Sequence, residues 1–231
     1  MLIRIGMEEN FEERCLAWGL DFPGCFSYGA DAAEALLRFP HSLLAHADWV
    51  NAHTDFPWFE IGDMDLRTEE RFRDYTQSVE GKDYEVNATF KDDERLLTPE
   101  DVEQALLVYC WQREELLAGV ETLASETLTR KFSGERWDIL GILRHLARAE
   151  YWCLQNLDLP LLALVDAPQD PVSMLSAVEI ETRKHLAAFA GNPAQTLKKG
   201  EQWTCRKVVR RVLWHQRDHI NHIKKLAFRP L

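Results

Sequence analysis

The sequence has 231 residues, of which 46% are hydrophobic, and carries a formal net charge of −11 at pH 7. This length and composition are typical of a globular chain that buries one large core or two smaller ones. The negative charge argues against general nucleic-acid binding, and no apolar run approaches the ~18–20 residues that a membrane span requires.

The N-terminus and the cysteines indicate a cellular compartment. Met1-Leu2-Ile3-Arg4-Ile5 lacks the long apolar stretch and the cleavage site of a signal peptide, so we expect a cytoplasmic protein. The cysteines are odd in number and widely spaced, and they form no CxxC pair: Cys15, Cys25, Cys110, Cys153 and Cys205. This pattern predicts reduced thiols rather than disulfides or a cysteine zinc site.

The first 30 residues alternate and turn as strands do. Apolar residues are concentrated in residues 2–5, 11–20 and 25–28. Between the last two runs lies Asp21-Phe22-Pro23-Gly24, a tight turn in which Pro fixes φ and Gly can take a positive φ. The pattern predicts a meander of three strands.

A helix is predicted directly after this meander. Asp31 can accept hydrogen bonds from backbone amides while Glu34 reaches back, which is a capping box for a helix over residues 32–39. Pro40 is expected to break or kink this helix, which can resume over residues 41–50.

The run Leu16-Ala17-Trp18-Gly19-Leu20-Asp21-Phe22-Pro23-Gly24-Cys25, followed by Ala33-Glu34-Ala35-Leu36, resembles the HicB-like antitoxin domain. The resemblance covers about residues 1–50. It implies a small α/β module, which in that family is an interaction domain that neutralises a partner toxin. The DNA-binding appendage that is usual in the family has no counterpart in this sequence.

Residues 54–97 carry the weakest pattern in the chain. A short helix is predicted from Glu69 to Tyr75, and a strand from Tyr84 to Phe90, where alternation returns. A charged turn follows at residues 91–95. We expect these segments to complete an N-terminal domain over residues 1–97.

From Thr98 onward, apolar residues recur with the spacing of an α-helix. Thr98-Pro99-Glu100-Asp101 has the residue types of a helix start, and further helices are predicted at about Arg136–Leu157, from Asp170-Pro171 to Gly191, and at about Thr204–Leu226. Four amphipathic helices predict an all-α four-helix bundle over residues 98–231. The predicted fold class is therefore α+β, with an α/β domain followed by the bundle.

The last predicted helix carries three histidines on one face. His215, His219 and His222 fall within an arc of about 60° at 100° per residue, among apolar side chains. A buried imidazole needs hydrogen-bond partners. Metal binding through the i, i+4 pair His215 and His219 satisfies that need, and satisfied core histidines are the alternative.

The segment Trp137-Asp138-Ile139-Leu140-Gly141-Ile142-Leu143-Arg144-His145-Leu146-Ala147-Arg148-Ala149-Glu150-Tyr151-Trp152, with the later WHxxxHxxHI, resembles the DinB/YfiT-like four-helix-bundle family over about residues 99–231. The resemblance implies His145, His215 and His219 as metal ligands, with His222 and Asp218 in supporting positions. Asp218 and His222 are also i, i+4, so they could replace His215 and His219 as ligands.

Three protein ligands with open positions are typical of a catalytic metal site, and this set suits Zn, Ni or Fe. The family resemblance implies a metal-dependent enzyme, with thiol-dependent transferase or hydrolase chemistry on a small thiol or other small substrate, and a homodimer. The sequence identifies no catalytic residue beyond the ligands, and Glu150 is expected to form a structural ion pair. The alternative function is a non-catalytic interaction or antitoxin-like scaffold without bound metal.

Overall fold

The structure is a computed structural model that describes residues 1–163 and 167–228, so residues 164–166 and 229–231 of the predicted bundle lie outside the described ranges. Strands and helices both contribute to it, as the α+β prediction requires. The chain divides into two compact units. The first comprises Met1–Leu96 with Gln195–Lys207, and the second comprises Leu97–Ala194 with Val208–Leu231.

The first unit contains a four-stranded sheet. Its strands are β1 (Leu2–Phe11), β2 (Arg14–Gly19), β3 (Phe26–Gly29) and β4 (Asp65–Arg73), in the spatial order β3-β2-β1-β4. The pairs β1–β2 and β2–β3 are antiparallel, which confirms the predicted meander. Strand β4 adds to the other edge of β1 in parallel orientation.

The short helix predicted from Glu69 to Tyr75 is wrong, because most of these residues belong to strand β4. Its sequence is rich in charged residues, and its side chains alternate between exposed and half-buried. The ladder with β1 supplies its backbone hydrogen bonds, and the pairing steps by one residue between Thr68 and Glu70. Because this pairing is a tertiary effect, local composition does not reveal the strand.

Helix α1 (Ala32–Asn51) begins as predicted. The Asp31 carboxylate accepts from the Glu34 amide at 2.8 Å, and the Glu34 carboxylate accepts from the Ala30 amide at 2.6 Å. The helix runs through Pro40 rather than ending there. Phe39 and the later residues Leu43, Ala47 and Val50 are buried on its inner face, and this packing retains the helix beyond the lost backbone bond.

Two hairpins complete the strands of the first unit. Strands β5 (Tyr75–Val79) and β6 (Lys82–Val86) pair antiparallel, so the strand predicted from Tyr84 to Phe90 is present only in its first residues. Strands β7 (Gln195–Lys198) and β8 (Glu201–Thr204) form a hairpin that the sequence analysis missed.

The β7–β8 hairpin and the residues after it group with the first unit, although they lie within the predicted range 98–231. The Lys207 ammonium is fully buried, pairs with Glu201 at 2.6 Å and donates to the Thr89 hydroxyl at 2.8 Å. The Thr204 hydroxyl donates to the Asp93 carbonyl at 2.7 Å. These contacts satisfy buried polar groups that strand pairing leaves open.

The second unit consists of helices. They are α2 (Pro99–Glu121), α3 (Ser125–Leu128), α4 (Ile139–Gln155), α5 (Pro171–Leu186) and α6 (Cys205–Ala227), the last of which begins in the first unit. Thr98, Asp138 and Asp170 cap α2, α4 and α5 by accepting from backbone amides. Within residues 1–163 and 167–228, no helix is long and apolar enough to cross a membrane.

One apolar core joins the long helices of the second unit. Late residues of α2 and α6 pack with early residues of α4 and α5: Leu116, Val120, Ile220, Ile223, Ile139, Ile142, Met174 and Leu175. Helices α2 and α6 therefore run in one direction, and α4 and α5 run in the other. The inner faces of α4 and α6 consequently meet near their middles.

Substituting Gly29 with alanine is expected to destabilise the first unit by about 1–3 kcal/mol, because overpacked sites cannot relax fully. An added Cβ would lie 2.2 Å from the Ala35 backbone nitrogen, which cannot move without disturbing the start of α1. Gly119→Ala is the matched control. Nothing lies within 4 Å of that Cβ in α2, so the change should stabilise by about 0.5–1 kcal/mol. Urea unfolding of both variants measures the two effects, and equal effects would contradict the steric argument.

Candidate metal centre

Three histidines from two helices of the second unit converge on one point. His145 projects from the middle of α4, and His215 and His219 project from successive turns of α6. One ring nitrogen from each lies within 4.8 Å of the other two. These are the three residues that the sequence analysis named as ligands.

The distances between the nitrogens are close to those around a bound transition metal. His215 Nε2 lies 3.2 Å from His145 Nε2 and 3.0 Å from His219 Nε2. Tetrahedral ligands with Zn–N bonds of 2.0–2.1 Å would be about 3.3 Å apart. A metal ion therefore fits between these rings with only small adjustments.

Hydrogen bonding alone satisfies this cluster poorly. A neutral imidazole nitrogen offers either one N–H or one lone pair, so His215 Nε2 cannot make two good hydrogen bonds to two neighbouring nitrogens. The Nδ1 atoms of His215 and His219 are buried and have no hydrogen-bond partner among the described residues. The hydrogen bonds of the described residues therefore leave His215 and His219 incompletely satisfied.

Burial keeps two histidines of the cluster, His215 and His219, neutral. Burial lowers the pKa of His215 well below its usual value, and the positive charges of neighbouring His219, His145 and Arg211 add to the effect. Burial likewise lowers the pKa of His219 to about 3, with contributions from His145 and His222. Neutral imidazole is the form that binds metal ions, so His215 and His219 need lose no proton before they could bind one at neutral pH.

The metal-free protein is expected to lose stability as the pH falls from 6.5 towards 3. Unfolded histidines bind protons below pH ~6.5, whereas His215 and His219 stay neutral in the folded state, so the unfolded state gains protons and is favoured. The stabilisation is fully present above pH ~6.5, and each histidine contributes a slope of up to about 1.4 kcal/mol per pH unit. Urea unfolding between pH 7.5 and 5.5 measures this slope. His219→Gln should have a smaller slope than wild type, and an equal slope would contradict the prediction.

The segment before α4 packs against the cluster. The Trp137 ring stacks on His145 at 4.6 Å between centroids and 23° between planes, and the Arg136 guanidinium lies 4.4 Å from the Trp137 ring centroid. Glu135 Oε2 lies 2.9 Å from His222 Nε2. The structure thus adds an aromatic support for one ligand and a carboxylate near the site.

The two residues predicted in supporting positions are not part of the cluster. His222 contacts Glu135, and its ring lies 6.2 Å from that of His219 and nearly parallel to it. Within the described part of the chain, the group that can hold a metal consists of His145, His215 and His219, without Asp218. The ligand register with Asp218 and His222 is therefore not the one that converges.

A buried polar network centred on Arg113 of α2 lies beside the ligand-bearing helices. Its guanidinium donates to Glu150 at 2.5 Å, to the Tyr109 hydroxyl at 2.9 Å and to the Gln216 amide oxygen at 2.8 Å. The predicted ion pair of Glu150 is confirmed. Sequence reasoning missed Arg113, although it lies in phase with the apolar residues Tyr109 and Leu116, and that placement indicated burial.

Comparisons of the chain with family models, curated proteins and solved structures find no match. The geometry by itself defines a helical unit with a three-histidine cluster that could hold a metal ion.

Proposed function

We propose that the chain is a metal-dependent enzyme in which His145, His215 and His219 bind one divalent transition-metal ion. The reaction is hydrolysis or thiol-dependent transfer on a small substrate. The observation that carries the proposal is the convergence of three histidine ring nitrogens from α4 and α6, within 4.8 Å of one another.

The ligand set agrees with catalysis more than with structural binding. Structural zinc sites use four protein ligands, whereas catalytic sites use three and keep a position open for water or substrate. The described residues bring three histidines together, with no cysteine or carboxylate among them. Imidazole ligands suit Zn, Ni or Fe, and the absence of a ligating carboxylate from the group distinguishes it from the two-histidine, one-carboxylate iron sites.

A bound metal ion would lower the pKa of a coordinated water or thiol so that a nucleophile forms near neutral pH. The chain's own contribution is to hold the ligands. Trp137 limits the rotation of the His145 ring by stacking on it. The Glu135–His222 pair provides a proton-accepting group near the site without occupying a ligand position.

The sequence resemblances agree with this proposal. The Trp137–Trp152 segment and the WHxxxHxxHI stretch resemble the DinB/YfiT-like family, whose members include thiol-dependent transferases and isomerases. That resemblance suggests low-molecular-weight thiols as substrates, and the HicB-like resemblance of residues 1–50 suggests an accessory protein-interaction role.

Metal analysis of the purified protein tests the proposal. We expect about one transition-metal ion per chain, removed by a strong chelator and restored by Zn, Ni or Fe(II). Each form is then assayed against activated esters and against electrophiles mixed with small thiols. Restored metal together with metal-dependent turnover supports the enzyme. Protein that holds no stoichiometric metal after reconstitution would exclude it and favour the non-catalytic scaffold.

A further inference from the structure

The side chain of Arg113 on α2 is hydrogen-bonded to each of α4, α5 and α6. Its guanidinium reaches Glu150 on α4 at 2.5 Å, the Leu175 carbonyl on α5 at 3.3 Å and Gln216 on α6 at 2.8 Å. Arg113 is 1% exposed and Gln216 is fully buried. One buried guanidinium on α2 therefore forms hydrogen bonds to each of the other three long helices of the second unit.

The partners of Arg113 lie next to the metal ligands in the chain. Gln216 directly follows His215 on α6, and Glu150 lies on α4 little more than one turn after His145. We propose that Arg113 and Gln216 are positioning residues that fix the spacing and rotation of α4 and α6, so that the three histidines meet at metal-binding distance. This inference rests on the proposed metal site.

The physical reason is the narrow tolerance of a metal site. Metal–ligand distances must fall within about 0.2 Å of their preferred values. Apolar packing between helices is non-directional and tolerates small rotations, whereas a buried hydrogen bond has a narrow distance and angle range. A rotation of α6 would leave buried donors and acceptors unpaired, which is unfavourable because these groups also lose their bonds to water.

Gln216 is bonded on both sides of its amide. Its oxygen accepts from Arg113, while its nitrogen donates to the Tyr109 carbonyl at 3.0 Å and to the Gln112 amide oxygen at 3.2 Å. All three bonds go to α2, so they fix the rotation of α6 about its own axis relative to α2. His215, one residue earlier, is turned about 100° from Gln216 and moves with it.

Substitutions at Gln216 test this role through the affinity for Co(II), measured in the full chain by visible absorption. Gln216→Met keeps the side-chain volume but removes every hydrogen bond that the side chain of residue 216 makes to α2. It is expected to weaken Co(II) binding about tenfold, as loss of ligand-orienting contacts does elsewhere. Gln216→Glu keeps an acceptor for Arg113 but loses both bonds that the amide nitrogen donates, so its Co(II) affinity is expected to lie between those of Gln216→Met and wild type.

A double variant separates positioning from stability. Replacing Arg113 and Glu150 together with methionine substitutes apolar volume for a buried ion pair, a change that often leaves stability unaltered or raised. We expect a folded protein that binds Co(II) at least tenfold more weakly than wild type and shows an altered absorption envelope. Val178→Ala, a buried truncation on α5, is the matched control. It should lose stability while keeping its Co(II) affinity within about threefold of wild type.

The outcomes are distinguishable. Weak binding in Gln216→Met and in the double variant, together with intermediate binding in Gln216→Glu and retained binding in Val178→Ala, supports the inference. Wild-type binding in Gln216→Met, or equal weakening in Val178→Ala, overturns it while leaving the metal site standing. Absence of Co(II) binding by the wild type removes the proposed function itself.

Discussion

Replacing His215 with alanine is expected to abolish the thermal stabilisation that zinc confers on the wild-type protein. His215 Nε2 lies within 3.2 Å of both other ligand nitrogens, so its loss removes the centre of the cluster. A ligand present at 1,000 times its Kd stabilises the folded state by about 4 kcal/mol. Calorimetry with and without zinc, together with metal content, measures the loss.

His222→Ala is the control for this experiment. Its ring lies on the same helix and contacts Glu135 rather than the three converging nitrogens, so the variant should keep its metal and most of the zinc stabilisation. His145→Ala should behave like His215→Ala. Metal retained in His215→Ala but lost in His222→Ala would instead favour the register with Asp218 and His222.

Replacing Glu150 with alanine is expected to cost about 3–5 kcal/mol of unfolding free energy, which is the usual penalty for leaving a buried charge without its partner. The side chains of Arg113 and Glu150 are 2% and 0% exposed, so water cannot replace the lost carboxylate. The Tyr109 hydroxyl also loses its acceptor. Urea unfolding of the metal-free protein measures the change.

Glu69→Ala is the comparison for Glu150→Ala. Glu69 lies 3.4 Å from Arg67 on β4, and the two side chains are 35% and 67% exposed. Such exposed pairs contribute about 0.2–1 kcal/mol. A loss in Glu150→Ala no larger than in Glu69→Ala would show that the Arg113 network is not a buried hub.

The four long helices of the second unit were predictable because their sequence signals are local. Thr98, Asp138 and Asp170 cap three helices directly through their own side chains, and the apolar period continues from each cap into the core. Strand β4 and the β7–β8 hairpin were not predicted, since both depend on pairing with distant segments or on a short turn. The dipeptide Lys199-Gly200 was the available sequence signal for the hairpin, because glycine favours the positive φ that a two-residue hairpin turn requires. The two residues have φ of 53° and 86°.

The candidate site was likewise predictable only where its sequence signals are local. The i, i+4 spacing of His215 and His219 is a local pattern, and the family resemblance added His145. Nothing local indicates that Trp137 stacks on His145, because Trp137 precedes α4 and its position depends on how the chain enters the helix. Nothing local indicates that Glu135 contacts His222 either, since these two residues are 87 positions apart in the chain. Arg113 was overlooked because a charged residue on a helix is usually assigned to the surface.

The first unit is assembled from two separated pieces of chain, residues 1–96 and 195–207. During synthesis, the sheet and α1 leave the ribosome before the hairpin that satisfies the polar groups around Asn87 to Asp93. About 100 residues intervene, which at ~5–20 residues per second is a delay of roughly 5–20 s. Until then the groups of Thr89 and Asp93 lack these partners, so the first unit can be completed only after residue 207 has been synthesised.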